Sequence, residues 1–255
     1  MELGTLNLLA LVVLFFVTAA IGVVTGSNSL ITVPVMFQFG IEPKVAIATN
    51  MFGLTFMNIG ASVSFIRSGK IDYGRLSPLV LITLAASAIG AFLVGQFSSG
   101  AVPVFVTVSM LFVVGFTLFK RESGIGGKNK EDVPEGSIRI ALLLTFLLGV
   151  YGGMYSGGYV TMLTAVLVGF YGLSFTEAVA GTKFINVFSS AIATVVFAWQ
   201  GLIDYYLGII LGVTMFAAAY IGAKTVTKLD DLWLRRIFIS AVILLAIKTV
   251  WDLIG

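Results

Sequence analysis

The chain has 255 residues, a formal net charge of +3, 58% hydrophobic residues and 11% charged residues. Soluble domains carry about 25% charged residues, so this composition excludes a water-soluble fold. It predicts an all-α membrane protein, because helices satisfy their own backbone inside the bilayer. The sequence contains no histidine, no cysteine and no Walker motif, so we expect no enzyme and no bound cofactor or metal. Nothing in it indicates nucleic-acid binding.

Apolar windows of about 20 residues, the length that spans a bilayer as a helix, recur along the chain. They lie at 6–26, 45–66, 76–97, 101–119, 139–158, 178–198, 205–223 and 236–251. After the first window, the polar stretch TGSNS (25–29) precedes a further apolar run that ends at Gly40. It predicts the end of a first helix, an unwound turn and a half-helix that crosses beside it. The stretch YSGGY (155–159) predicts the same break later in the chain.

The sequence repeats itself at a fixed distance. Residues 40–91 align without gaps with residues 172–223, an offset of 132 positions, with about 18 identities in 52 positions. A constant offset over this length predicts two related halves. We therefore expect a first transmembrane repeat at 1–119, a charged, glycine-rich cytoplasmic linker at 120–138 and a second repeat at 139–255.

Basic residues indicate how the halves are oriented. Most lysines and arginines fall in three segments, 67–75, 120–139 and 224–236, and the positive-inside rule places all three in the cytoplasm. If each broken segment counts as a crossing, each half has five segments, the two repeats have inverted topology, and both termini lie outside. An alternative with re-entrant hairpins, eight full spans and parallel halves stays open.

The breaks predict a binding site at the midplane. Non-helical backbone at membrane depth survives only where protein buries it or where it lines a wet cavity. Each break also frees N–H groups at the start of a half-helix, and these attract anions. The polar stretches ATN (48–50) and GTKFIN (181–186) are interpreted as further breaks of this kind. The candidate substrate-binding residues are Gly26, Ser27, Asn28, Ser29, Thr49, Asn50, Ser156, Gly157, Gly158, Thr182, Lys183 and Asn186.

Lys183 is the one basic residue well inside a predicted span, where insertion scales assign a lysine a penalty of about 2.5–3.5 kcal/mol. We expect it to hold an anion, with snorkelling to the interface as the alternative. For Asn50, Thr182 and Asn186 the alternative is interhelical hydrogen bonding. For the serines and asparagine of the two breaks it is helix capping. No Asp or Glu lies deep in a predicted span, so the usual carboxylate relay of proton-driven pumps is missing.

The motifs resemble a known family. The glycine-containing first break, ATN and the second-half element GTKFIN…FA..G.ID, from Gly181 to Asp204, are similar to those of the sulfite exporter TauE/SafE family, also called the TSUP family of anion permeases. The resemblance covers essentially the whole chain. It implies two related halves that transport small sulfur oxyanions or organosulfonates, and it places Asn50, Thr182 and Lys183, with Asn186, in the two family elements. The first break departs from the family pattern, because Ser and Asn replace two glycines.

The sequence therefore predicts a secondary transporter or facilitator of a small anion, sulfite or an organosulfonate, that works by alternating access in a prokaryotic inner membrane. Its expected partners are the anionic substrate and the lipid bilayer. A coupling proton or sodium ion and a homo-oligomer are left open. Two other functions stay open as well: a cation-coupled carrier of another small solute, in which unwound carbonyls bind Na⁺, and a membrane scaffold that transports nothing.

Overall fold

The computed structural model describes residues 4–26, 28–67, 69, 71–119, 133–225 and 251, and apart from loops and turns these residues are helical. The helices are α1 (Thr5–Thr25), α2 (Ser29–Gln38), α3 (Pro43–Arg67), α4 (Tyr73–Gln96), α5 (Ala101–Phe119), α6 (Glu135–Met154), α7 (Tyr159–Gly169), α8 (Phe175–Trp199) and α9 (Tyr205–Thr225). The predicted span at 236–251 lies outside the described residues except for Trp251. The all-helical fold is confirmed.

Six described helices, α1, α3, α4, α6, α8 and α9, are long and apolar enough to cross a bilayer. The breaks predicted at 25–29 and 155–159 are present, because α1 and α6 end there and a short helix follows each. These short helices, α2 and α7, have 10 and 11 residues. At 1.5 Å per residue they rise only about 15–17 Å, roughly half of the hydrocarbon core.

The further breaks predicted at 48–50 and 181–186 are wrong. Both stretches lie inside continuous helices, since α3 and α8 each run for 25 residues. The polar side chains in these stretches do not compete with their own backbone. Asn50 bonds to Ser29 and Thr32 of α2, and Thr182 bonds to Thr164 of α7. Polar residues that are satisfied by a neighbouring helix leave the backbone ladder of their own helix intact.

The structure repeats at the same offset as the sequence. α3 and α8 begin and end 132 residues apart, and so do the starts of α4 and α9. Every described residue with positive φ is a glycine, and these glycines form three pairs at the same offset: Gly26 with Gly158, Gly40 with Gly172, and Gly69 with Gly201. Glycine adopts this left-handed conformation without the strain of a Cβ atom. The same three turns therefore recur in both parts of the chain.

Helices from the two parts of the chain pack against each other. α3 lies against α8 and α9, α4 lies against α6 and α8, and α1 lies against α9. α3 and α8 run in opposite directions, because the Thr55 and Thr194 hydroxyls lie 3.3 Å apart while Thr49 accepts from the backbone N–H of Asp204, beyond the end of α8. α2 and α7 pack on the flanks of α3 and α8, and this arrangement positions the two breaks.

Candidate functional site

The two breaks lie in direct contact. Gly26 ends α1 in a left-handed conformation, and its N–H donates to the Gly22 carbonyl at 3.0 Å. A Cβ atom added at Gly26 would lie 2.6 Å from Cγ1 of Val160 in the first turn of α7. The structure thus brings the end of the first break against the helix that follows the second. Ser27 lies outside the described residues.

Asn28 precedes α2 and carries an unsatisfied amide. Its side chain is 4% exposed, and neither its Nδ2 nor its Oδ1 has a hydrogen-bond partner among the described residues. Its side chain does not cap α2, whereas its carbonyl accepts from the N–H groups of Ile31 and Thr32. Gly22 is its neighbour, because a Cβ atom added there would lie 3.2 Å from Cβ of Asn28. An unpaired buried amide is unfavourable by about 1–3 kcal/mol, so Asn28 stays a candidate substrate-binding residue.

Lys183 points into the protein. Its side chain is 2% exposed, and its ammonium donates to the Gly22 carbonyl at 2.9 Å. It is therefore buried against the end of α1 and does not snorkel to the interface. An ammonium has three N–H donors, and the other two have no partner among the described residues. Arg139 and Glu135 form an ion pair at the surface, whereas no acidic side chain among the described residues forms one with Lys183.

The C-terminal end of α1 partly stabilises the charge of Lys183. Gly22 belongs to the last turn of α1, where unpaired carbonyls give the helix a partial negative charge that favours a cation. This compensates only part of the charge, since a full buried charge without a counter-ion is unfavourable by several kcal/mol. The ammonium bonds to the Gly22 carbonyl, and Cβ and Cα of Asn28 lie beside Gly22. Together they form a small polar site, named here the Lys183 site, that combines N–H donors with uncompensated positive charge.

Asn50 fixes α2 to α3. Its Nδ2 donates to the Ser29 hydroxyl at 2.9 Å, and its Oδ1 accepts from the Thr32 hydroxyl at 2.7 Å. In the second part of the chain, the Thr164 hydroxyl donates to Thr182 at 3.3 Å, and both residues of this pair lie 132 positions after Thr32 and Asn50. These residues therefore orient the short helices through interhelical hydrogen bonds.

Two tyrosines that are not among the predicted site residues hold the second break. The Tyr155 hydroxyl donates to the Ser29 carbonyl at 2.8 Å, and the Tyr151 hydroxyl donates to the Gly157 carbonyl at 2.5 Å. Gly158 precedes α7 with φ +80°, and the buried Ser156 accepts from the N–H of Tyr159 at 3.2 Å. A buried tyrosine usually finds a partner for its hydroxyl. The first Tyr of YSGGY, Tyr155, was therefore the signal in the sequence for a bond between the two breaks.

Of the other predicted residues, Thr49 has its contact elsewhere, and Asn186 stays a prediction. Thr49 accepts from Asp204 and positions the turn between α8 and α9. Asn186 is 2% exposed and lies one turn after Thr182 on α8. Sequence reasoning also missed Asn58 on α3, which is fully buried and whose amide atoms have no partner among the described residues. Its spacing of two turns from Asn50 on an apolar helix was the signal that could have found it.

Taken together, these helices and breaks define a helical integral membrane protein with two interrupted segments around a buried cation. The chain belongs to the sulfite exporter TauE/SafE family, whose model matches residues 10–249, so the resemblance seen in the motifs is confirmed.

Curated relatives cover almost the whole chain. Probable membrane transporter protein ORF9 of Sinorhizobium sp is 25% identical over 93% of this chain and 90% of its own length. A probable membrane transporter protein of Haemophilus influenzae is 22% identical over 99% and 98%. The probable membrane transporter protein YfcA of Escherichia coli is 22% identical over 96% and 91%. No solved structure matches the chain.

Proposed function

We propose that this protein is a secondary transporter or facilitator that moves a small anion, sulfite or an organosulfonate, across the bacterial inner membrane by alternating access. The observation that carries the proposal is the buried ammonium of Lys183, which has no acidic partner among the described residues. A substrate anion supplies the missing counter-charge. The family name and the transporter names of the relatives agree with this assignment.

The Lys183 site offers donors that suit an oxyanion. Two ammonium N–H groups remain after the bond to Gly22, and the Asn28 amide adds two more. The backbone N–H groups of Ser29 and Leu30, which begin α2 before its first intrahelical bonds, follow directly after Asn28. Sulfite and sulfonates present three oxygens, each of which accepts hydrogen bonds, so charge and donor number both match. Asn50 and Thr182 act by holding the short helices in place.

Alternating access needs two halves that can exchange roles, and the packing supports inverted repeats. α3 and α8 correspond at the offset of 132, yet they run antiparallel where they pack. α4 runs parallel to α8, since Leu76 lies near Gly181 and Ser87 bonds to Ser189.

α4 also runs parallel to α6, because Ala86 lies against Gly149 and Ser87 against Gly153. If α6 and α8 share one direction, the segment at 155–174 returns the chain across the bundle. This course favours five segments per half over a re-entrant hairpin. With the basic loops inside, the linker lies in the cytoplasm and both termini lie outside.

Flux in proteoliposomes tests the proposal. We expect sulfite efflux from vesicles that contain the wild-type protein, and we expect Lys183→Met to abolish it because the substrate loses its counter-charge. Lys44→Met is the matched control, since Lys44 also donates to a carbonyl, that of Gly95 at 3.1 Å, but lies at the start of α3. Undiminished flux in Lys183→Met, with both variants folded, would refute the assignment.

A further inference from the structure

Four buried hydroxyls meet beside the last two turns of α6. They belong to Thr83 and Ser87 of α4, Tyr159 of α7 and Ser189 of α8, and each residue is 0% exposed. The hydroxyls of Ser87 and Ser189 lie 2.7 Å apart, and Ser87 also donates to the Gly149 carbonyl at 3.1 Å. The Tyr159 hydroxyl lies near the hydroxyls of Thr83 and Ser189, but it makes no hydrogen bond of good geometry to either of them. These four side chains are named here the hydroxyl cluster.

Two members of the hydroxyl cluster are unsatisfied. The hydroxyl oxygens of Thr83 and Tyr159 are buried, and no described residue lies in hydrogen-bond geometry to either. Buried polar groups in native proteins nearly always have a partner, which is protein, an ordered water or an ion. Two free oxygens beside two hydrogen-bonded ones therefore call for a partner that the described residues do not supply, an ordered water or an ion.

The electrostatic surroundings of the cluster favour a cation. The cluster lies against the C-terminal part of α6, where a Cβ atom added at Gly152 would touch the Tyr159 ring and one at Gly153 would meet Ser87. Helix C-termini carry partial negative charge. At the end of α1 this charge faces the ammonium of Lys183, but the residue 132 positions before Lys183 is Met51. The end of α6 thus lacks the tethered cation that its counterpart has.

The hydroxyl cluster is also specific to one part of the chain. At the offset of 132, Thr83 corresponds to Met215, Ser87 to Ala219, and Ser189 to Met57. Three of the four hydroxyls are therefore replaced by apolar side chains where the other half packs in the same way. Packing alone does not require hydroxyls at these positions, which agrees with a ligand that only one half binds.

We propose that the hydroxyl cluster binds a sodium ion at the C-terminal end of α6. Neutral hydroxyl and carbonyl oxygens can coordinate sodium. In transporters, the carbonyls of unwound segments and the C-terminal ends of half-helices coordinate this ion. A divalent metal fits less well, because the described residues contain no group of three or more acidic, histidine or cysteine side chains that could hold one. Its role as the coupling ion for the anion rests on the proposed function, whereas sodium binding itself does not.

Sodium-dependent stability of the purified protein tests the site without any anion substrate. We expect NaCl to raise the unfolding temperature above the values in KCl and choline chloride at equal ionic strength, since a ligand that binds only the folded state stabilises it. Ser189→Ala and Thr83→Val should each weaken the apparent affinity for sodium by about tenfold or more. Equilibrium dialysis against ²²Na⁺ should likewise show weaker sodium binding by both variants than by the wild-type protein.

Ser190→Ala is the matched control, because Ser190 is the next residue on α8 and its hydroxyl donates to the Asn186 carbonyl at 2.6 Å. It should keep the response to sodium. Equal stabilisation by the three chlorides, or an unchanged sodium response in Ser189→Ala, would overturn the site. If sodium binds but wild-type vesicles move no sulfite, the proposed function fails and the cation site stands. If sulfite moves but sodium has no effect on stability, only the cation site fails.

Discussion

The contact between the two breaks predicts a strong effect of Gly26→Ala. Gly26 has φ +75°, and an alanine in this left-handed conformation is strained by roughly 1–2 kcal/mol. The added Cβ would also lie 2.6 Å from Val160 Cγ1 and 2.9 Å from its Cβ, distances that force α7 or α1 to shift. Overpacking of this kind typically destabilises a protein by about 1–3 kcal/mol. The sum predicts a loss of about 2–5 kcal/mol in the free energy of unfolding.

A second glycine separates the two contributions. Gly201 has nearly the same backbone, φ +71°, but a Cβ atom added there has no neighbour within 4 Å. Gly201→Ala should therefore show only the backbone strain, about 1–2 kcal/mol. Denaturant unfolding of both variants in the same detergent gives the difference, which we expect to be about 1–3 kcal/mol. Equal destabilisation by the two substitutions would refute the direct contact between the breaks.

Four further substitutions and one control test individual contacts of the breaks. Asn28→Leu should stabilise the substrate-free protein by about 1–3 kcal/mol, because it removes an unpaired buried amide. The same variant should bind sulfite more weakly in a thermal-shift titration. A variant that is less stable and binds sulfite with unchanged affinity would contradict the assignment of Asn28 to the site. Asn50→Leu should lower the free energy of unfolding by about 2 kcal/mol, because two hydrogen bonds are lost, and Thr182→Val should lower it by about half as much. Equal losses for the two variants in denaturant titrations would be inconsistent with their different contacts. Tyr155→Phe should lower the free energy of unfolding by about 1–3 kcal/mol, because the carbonyl at the start of α2 loses its buried donor. Tyr206→Phe, at a 73% exposed position, should leave the free energy of unfolding unchanged. A similar loss in both variants would count against the tyrosine link.

The sequence predicts the helices well because a membrane restricts the choice. An apolar window of about 20 residues has to satisfy its backbone internally, and a helix does this within one segment. The predicted ends of the helices are less accurate where few polar residues mark them. The window at 139–158 is observed as α6 at Glu135–Met154, four residues earlier at each end, because Tyr155 is extended with φ −158° and ends the helix. Hydropathy does not detect such a local change of conformation.

Polar residues inside apolar helices were harder to interpret. Asn50 and Thr182 were expected to mark breaks, but their side chains bond to α2 and α7 and leave α3 and α8 continuous. Whether an Asn or Thr bonds to its own backbone or to a neighbour depends on where that neighbour lies. The pairing at the offset of 132 carried this information, since Thr32 and Thr164 also correspond, but only in combination with the packing of the short helices.

The partners of Lys183 and of the hydroxyl cluster could not be predicted locally. Lys183 bonds to Gly22, which lies 161 positions earlier, and the cluster draws its members from three helices. Serines and threonines in helices rich in alanine are typical of close helix packing, so nothing at Ser87 or Ser189 distinguishes a ligand site in the sequence. Their significance comes from burial and from unsatisfied oxygens, which only three-dimensional coordinates provide.

The central claim is that Lys183 receives the substrate anion, and equilibrium dialysis of radiolabelled sulfite against purified protein tests it most directly. We expect the wild-type protein and Lys44→Met to bind about one anion per chain at saturation, and Lys183→Met to bind none while it unfolds cooperatively in the same detergent. If Lys183→Met binds sulfite with the stoichiometry and affinity of the wild-type protein, the buried ammonium does not hold the substrate and the account is wrong.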